Sequence, residues 1–157
     1  MQINYFLASI IAYLGLLLGV ILIKLAPEEQ KPGKKYFILL KKISFFLILV
    51  TLLFFYRVNI ILTTVLLVLV IVLMLNKKLN LNKSSLVYFF LGIIFYLSSK
   101  IPDLFVMESV LIFLYGIPTA SLSLKKRNYY EVFVKNLWFF VPVILLYFLT
   151  TTALSLV

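Results

Sequence analysis

From Asn4 to Ile23 the chain runs for twenty residues without a charged side chain, and apolar runs of this kind recur to its end. Roughly twenty apolar residues in helical form cross about 30 Å of hydrocarbon, so the repeated run is the feature that most restricts the fold. Hydrophobic residues make up 64% of the 157, with a mean hydropathy of +1.17. A soluble domain of this length cannot bury that much apolar surface, and lipid is the expected solvent. The N-terminal Met1-Gln2-Ile3-Asn4 has no basic n-region, and the apolar segment after it is too long for a signal peptide core, so it is read as a retained span.

Marking off such runs predicts an all-α integral membrane protein, a compact bundle of about six transmembrane helices forming a single domain over 1–157. The spans fall at about 4–23, 36–56, 58–75, 84–99, 104–124 and 136–156. The fourth reaches span length only by including Ser84, Ser85, Ser98 and Ser99. The second and third are divided by Arg57 alone, with no glycine or proline, so one long helix over 43–75 competes with two spans. Charge decides between them. With six spans, Lys24, Lys31, Lys34, Lys35, Lys41, Lys42, Lys77, Lys78, Lys83, Lys125, Lys126, Arg127 and Lys135 share one side, and only Arg57 and Lys100 lie on the other. The positive-inside rule then puts loops one, three and five in the cytoplasm and both termini outside, in the plasma membrane of a prokaryote. The formal charge of +10 is explained by anionic lipid headgroups rather than nucleic acid.

The stretch "KLAPEEQKPGKKYFILLKK", 24–42, holds two of the five acidic residues and six of the fifteen basic ones. Pro27 with Glu28 and Glu29 suits a first helical turn, since proline is preorganised there and carboxylates favour the positive end of the helix dipole. "KPG" is expected to break that turn. Lys31, Lys34, Lys35, Lys41 and Lys42 then project to one side of a short interfacial helix at the lipid headgroups before span two. Glu28 and Glu29 are read first as helix punctuation, with a docking handle for another protein as the alternative. Two adjacent carboxylates make no site for a hard cation, which takes six or more oxygens.

In the first span Ala8, Ala12, Gly15 and Gly19 fall on one narrow arc, and "GLLLG" matches the small-xxx-small pattern that lets helix backbones approach closely in lipid. Ser109, Gly116, Ala120 and Ser123 form a counterpart in the fifth span. These stripes serve either packing of spans one and five against each other or an interface with a partner. The third span has no stripe and is expected to face lipid. Pro118 and Pro142 lie inside spans five and six and free the carbonyls of Leu114 and Trp138. Such breaks are either plain kinks or the discontinuous helices of a transport site. "YFLASIIAYL" at Tyr5 and "YFFLGIIFYL" at Tyr88 share six of ten positions, a match that a chain rich in Leu, Ile, Phe and Tyr generates by chance.

Pro102-Asp103 repeats the proline–acid start at the fifth span, and Glu108 follows five residues deeper, about 7 to 8 Å along a helix. An acid at that depth is a candidate functional residue whose partner should be named. Arg57 and Lys100, the basic side chains on the same side, are the expected partners, forming either a structural ion pair or a cation- or proton-handling vestibule. Glu131 and Lys135 have the spacing of a helical ion pair.

The chain has no cysteine and no histidine, which excludes disulfides, thiolate metal sites and the usual general base at neutral pH. No GxSxG, P-loop or metal-ligand motif occurs. Ser84 or Ser85 with Lys83 is the one conceivable Ser–Lys pair, and neighbours in sequence rarely have that geometry. No cofactor, metal or catalytic residue is expected. The composition points to a non-catalytic membrane-embedded subunit acting by helix packing and a basic cytoplasmic face, alone as a homo-oligomer or with another membrane protein. A small transporter or channel component with its pathway near spans five and six is the alternative, and an intramembrane lipid-acting enzyme ranks third.

Overall fold

The computed structural model describes residues 2–75, 84–123 and 128–155. Among these the architecture is all-helical, without strands. The helices are α1 (Gln2–Leu25), α2 (Gln30–Phe55), α3 (Ile60–Leu75), α4 (Ser84–Ser98), α5 (Pro102–Ser123), α6 (Tyr129–Asn136) and α7 (Phe140–Ser155). Single 3-10 turns, Pro27–Glu29 and Leu137–Phe139, lead into α2 and α7. Four segments are long and apolar enough to cross a membrane: Asn4–Leu25, Gln30–Phe55, Pro102–Ser123 and Tyr130–Thr152. Ser85–Ser98 is apolar but shorter. The basic clusters with Lys77, Lys78 and Lys83, and with Lys125, Lys126 and Arg127, lie outside the described residues, and so does the Ser–Lys pair that Lys83 would complete.

Two sequence expectations are corrected. "KPG" does not break the chain: α2 runs unbroken from Gln30 to Phe55 with Pro32 in its first turn. There a missing N–H removes no helical hydrogen bond, because the first four N–H groups have no partner within a helix. The interfacial helix expected before span two is therefore the first turns of α2 itself. Pro142 likewise does not kink a continuous helix. The 3-10 turn Leu137–Phe139 separates α6 from α7 just ahead of it, and Pro142 falls in the first turn of α7.

The α2–α3 boundary is built by two local motifs. At the end of α2 the Arg57 backbone is left-handed, with φ 49°. Its N–H donates to the Phe54 carbonyl at 3.1 Å, and the Val58 N–H reaches the Leu53 carbonyl at 3.3 Å. This is a Schellman ending, with arginine where glycine is usual. Asn59 then caps α3, its Oδ1 accepting from the Ile61 N–H at 3.0 Å.

α5 is the centre of the bundle, packed chiefly against α1 and α2, with α4 next. α1 lies parallel to it: Tyr5 is beside Phe105, Gly15 beside Phe113 and Gly116, and Gly19 beside Ile117 and Ala120. α2 is antiparallel, pairing Gln30 with Ser121, Phe45 with Tyr115 and Thr51 with Glu108. α4 runs against α1, with Tyr88 near Tyr13 and Phe95 near Tyr5. α7 runs parallel to α4, Gly92 lying against the Phe139 carbonyl and the Pro142 ring. The interior between α1, α4 and α7 is aromatic. The Tyr5 ring stacks on Tyr147 at 5.0 Å and its hydroxyl donates to the Val143 carbonyl at 3.0 Å. Phe139 is fully buried among Tyr13, Tyr88 and Phe95. A tyrosine in such a place brings ring contact area together with a donor that must be satisfied.

Candidate functional site

Glu108 is 0% exposed. The tight turn after α4, closed by the Lys100 N–H to the Leu97 carbonyl and the Ile101 N–H to the Ser98 carbonyl, brings the chain straight back into α5. Glu108 then lies on the second turn, on the face of α5 shared with the fully buried Leu104 and Ile112. Facing it is Thr51 of α2. The Thr51 hydroxyl donates to Glu108 Oε1 at 2.6 Å and also lies 2.8 Å from the Leu47 carbonyl and 3.1 Å from the Ile48 carbonyl. Glu108 Oε2 is buried and has no hydrogen-bond partner among the described residues.

The structure does not bring Glu108 to either basic residue expected for it. Lys100 Nζ sits 4.8 Å above the Tyr96 ring, and Arg57 is exposed in the turn that ends α2. The reason is vertical offset. Arg57 lies six residues past Thr51 and Lys100 eight residues before Glu108, so both sit at the turn level while the carboxyl meets α2 about 9 Å deeper. Nothing in the charge pattern singles out Thr51. The usable signal is that threonine in an apolar helix is a hydroxyl in need of an acceptor.

Four of the five lysines assigned to the headgroups, Lys31, Lys34, Lys35 and Lys42, are exposed. Lys41 is different: it is turned toward α5, with Nζ 5.6 Å from the centre of the Tyr115 ring. Cation–π contacts of this kind are worth about 0.5–1 kcal/mol when exposed and about 2 kcal/mol when desolvated. Tyr115 in turn adjoins Tyr88, and Tyr88 adjoins Tyr13, whose hydroxyl donates to the Phe133 carbonyl at 2.6 Å. The Tyr88 hydroxyl and Asn136 Oδ1 are, with Glu108 Oε2, the buried side-chain polar atoms without a partner among the described residues. A small cleft of about 80 Å³ opens between the start of α2 and the end of α5, lined by Gln30, Lys31, Lys34, Phe37, Ser121 and Leu122. Glu28 is exposed in the 3-10 turn before it.

The small residues meet within the chain. A methyl group built on Gly15 falls on the Phe113 carbonyl, one on Gly19 on the Ile117 carbonyl, and one on Gly116 lies 2.7 Å from the Gly15 carbonyl carbon. Ala12 and Ala120 are buried, and Ala8 is half-buried. Ser109 and Ser123 point their hydroxyls at carbonyls of their own helix, Phe105 at 2.7 Å and Thr119 at 2.8 Å. Glu131 and Lys135 form an exposed i, i+4 pair at 3.6 Å.

Comparison with family models, with characterised proteins and with solved structures finds no match. The functional reading therefore rests on the geometry of this chain alone.

Proposed function

We propose that the protein is a non-catalytic, membrane-embedded subunit whose α2–α3 hairpin receives a helix of another membrane protein. The observation that carries this reading is the position of α3. Among the described residues its main packing is a slight contact with α2, to which a tight turn ties it, and Ile60, Ile61, Leu62, Val65 and Val68 are all more than half exposed. Helices in lipid associate through close van der Waals packing rather than through burial from water. A helix held beside a bundle yet scarcely packed on it offers a partner an open flank.

The same reading includes six crossings of a prokaryotic plasma membrane, with α6 and α7 together making the last. It puts the lysine-rich start of α2 in the cytoplasm and both termini outside. Support comes from the alternating directions of the packed helices and from the grouping of exposed Lys31, Lys34 and Lys35 at one end of α2. Glu28 beside them is a polar contact available to a partner at that face. The alternative, a transporter or channel component, draws on one observation, the buried carboxyl of Glu108 in the proline-containing α5.

The test is native mass spectrometry of the chain released gently from its own membranes. A stable complex with a second membrane protein is expected, and Ile61→Trp with Val65→Trp should cut its recovery at least about tenfold, or about 1.4 kcal/mol in association. A lone monomer, or a complex indifferent to both substitutions, sinks the reading.

A further inference from the structure

We propose that Glu108 and Thr51 form a reversible proton-binding site inside the bundle, in which the threonine hydroxyl reorients so that the carboxyl keeps its hydrogen bond in both protonation states. The inference is independent of the subunit reading and rests on three observations. The carboxyl is fully buried, and its Oε2 has no partner among the described residues. Its one hydrogen bond is to a hydroxyl, a group that both donates and accepts. That hydroxyl has two further acceptors within reach, the Leu47 carbonyl at 2.8 Å and the Ile48 carbonyl at 3.1 Å.

A hydroxyl carries one proton and can donate to one of these acceptors at a time. When Glu108 is a carboxylate, Thr51 donates to Oε1. When Glu108 takes up a proton on that oxygen, the acid O–H donates to Thr51 Oγ1, and the hydroxyl hydrogen swings to Leu47 or Ile48. Each state keeps the 2.6 Å contact without moving a heavy atom.

The surrounding ionisable groups are engaged elsewhere or distant. On α2, Lys41 lies against Tyr115, two turns further along α5, and Lys31, Lys34, Lys35, Lys42 and Tyr36 are nearer the opposite end. Tyr56 donates to the Leu97 carbonyl at 2.9 Å, and Arg57 is in the turn. On α1, Tyr5 and Tyr13 donate to backbone carbonyls of the last two helices, and Lys24 is at the far end. On α4, Tyr88 adjoins Tyr115 and Tyr96 lies under Lys100. Asp103 on α5 is exposed at the helix start. Glu108 lies about 9 Å from that start.

The experiment uses the full chain in its own membranes, treated with dicyclohexylcarbodiimide from about pH 5 to about pH 9, with modified peptides identified by mass spectrometry. The acid form reacts: its proton passes to a carbodiimide nitrogen while the carboxyl oxygen bonds the central carbon, and rearrangement leaves a stable N-acylurea. Glu108 should be modified, with labelling falling about tenfold per pH unit on the alkaline side of a single titration. Glu108→Gln should remove the adduct. Thr51→Val removes the hydrogen bond from both forms but costs the carboxylate more, because its bond is charge-assisted, so the variant should keep reacting at alkaline pH where the native chain has stopped. No adduct on Glu108 at any pH while exposed Asp103 reacts with a water-soluble carbodiimide in the same membranes overturns the proposal. So does labelling that ignores pH, or a Thr51→Val profile identical to the native one. The native chain's own profile decides the matter if either variant fails to fold.

Discussion

At the α1–α5 crossing two helix backbones touch, with Gly15 and Gly19 on one side and Gly116 and Ala120 on the other. α3, only a short turn away from the end of α2, leaves Ile60 80% and Ile61 71% exposed. By composition the ranking is reversed: α3 is the most apolar helix of the chain, and α5 carries Asp103, Glu108 and several hydroxyls. In water the most apolar helix would lie deepest. In lipid, tails and leucine side chains are equivalent, and contact forms where small residues let backbones approach and polar groups find partners. Packing in this molecule follows the glycines and hydroxyls, and hydropathy marks only which segments can sit in hydrocarbon.

The largest expected effect comes from attacking the seam. In Gly15→Leu the first added carbon falls on the Phe113 carbonyl, a backbone atom that cannot swing aside as a side-chain end can. α1 must separate from α5, and with it go the contacts of Leu16 and Ala12 in the same interface, both buried. Overpacking of a core ordinarily costs about 1–3 kcal/mol, and a backbone obstacle should exceed that range. Thermal unfolding in mild detergent reads it out, with Leu14→Ala as the control, since Leu14 points outward. If Gly15→Leu melts with the native protein, the seam is not what holds α1.

Much of this organisation was legible in the sequence, and what was missed has physical causes. The apolar runs located the long helices, and the 100° periodicity grouped Gly15 with Gly19 and Gly116 with Ala120, because both depend only on positions along one chain. Partners across helices were not legible. Glu108 stood out as a deep acid, but the search for its partner went to charge, and the chain supplied the hydroxyl of Thr51. Lys41 was grouped with the exposed lysines although it faces Tyr115. A helical wheel gives direction and not what stands opposite. "KPG" misled for a different reason, since proline is disruptive inside a helix and harmless in its first turn. The break at Arg57 was read from the charge pattern and not from turn chemistry, because the left-handed backbone there comes with Schellman hydrogen bonds on a residue type that does not favour it.

That strained arginine gives the next expected effect. A left-handed backbone costs a residue with a Cβ about 1–2 kcal/mol. Arg57→Gly should therefore stabilise the α2–α3 connection by roughly 1 kcal/mol, and Arg57→Val, branched at Cβ, should destabilise it by at least as much. Hydrogen exchange at the amides of Arg57 and Val58, the two that close the motif, should slow in the first variant and quicken in the second. Equal protection in all three proteins would mean that the turn is held by the Asn59 cap and not by the α2 ending. The comparison between a tight seam and a loosely held helix would then rest on the seam alone.

The smallest expected effect is on α3 itself, and it is informative because it is small. Leu62→Ala and Val65→Ala remove apolar volume from side chains more than half exposed. In a core such truncations leave cavities and cost about 2–5 kcal/mol for leucine. On the proposed membrane reading lipid or detergent fills the space, so the unfolding transition should move by no more than about 0.5 kcal/mol. The measurement belongs in two settings. In the isolated chain a loss above about 1 kcal/mol would show that α3 packs on its own bundle more firmly than its exposure implies. In native membranes the same substitutions should weaken recovery of a partner while leaving the melting of the isolated chain unchanged, because a helix that contributes little to its own fold is free to contribute to another. Loss of both together would make α3 part of the bundle and remove the asymmetry on which the subunit reading depends.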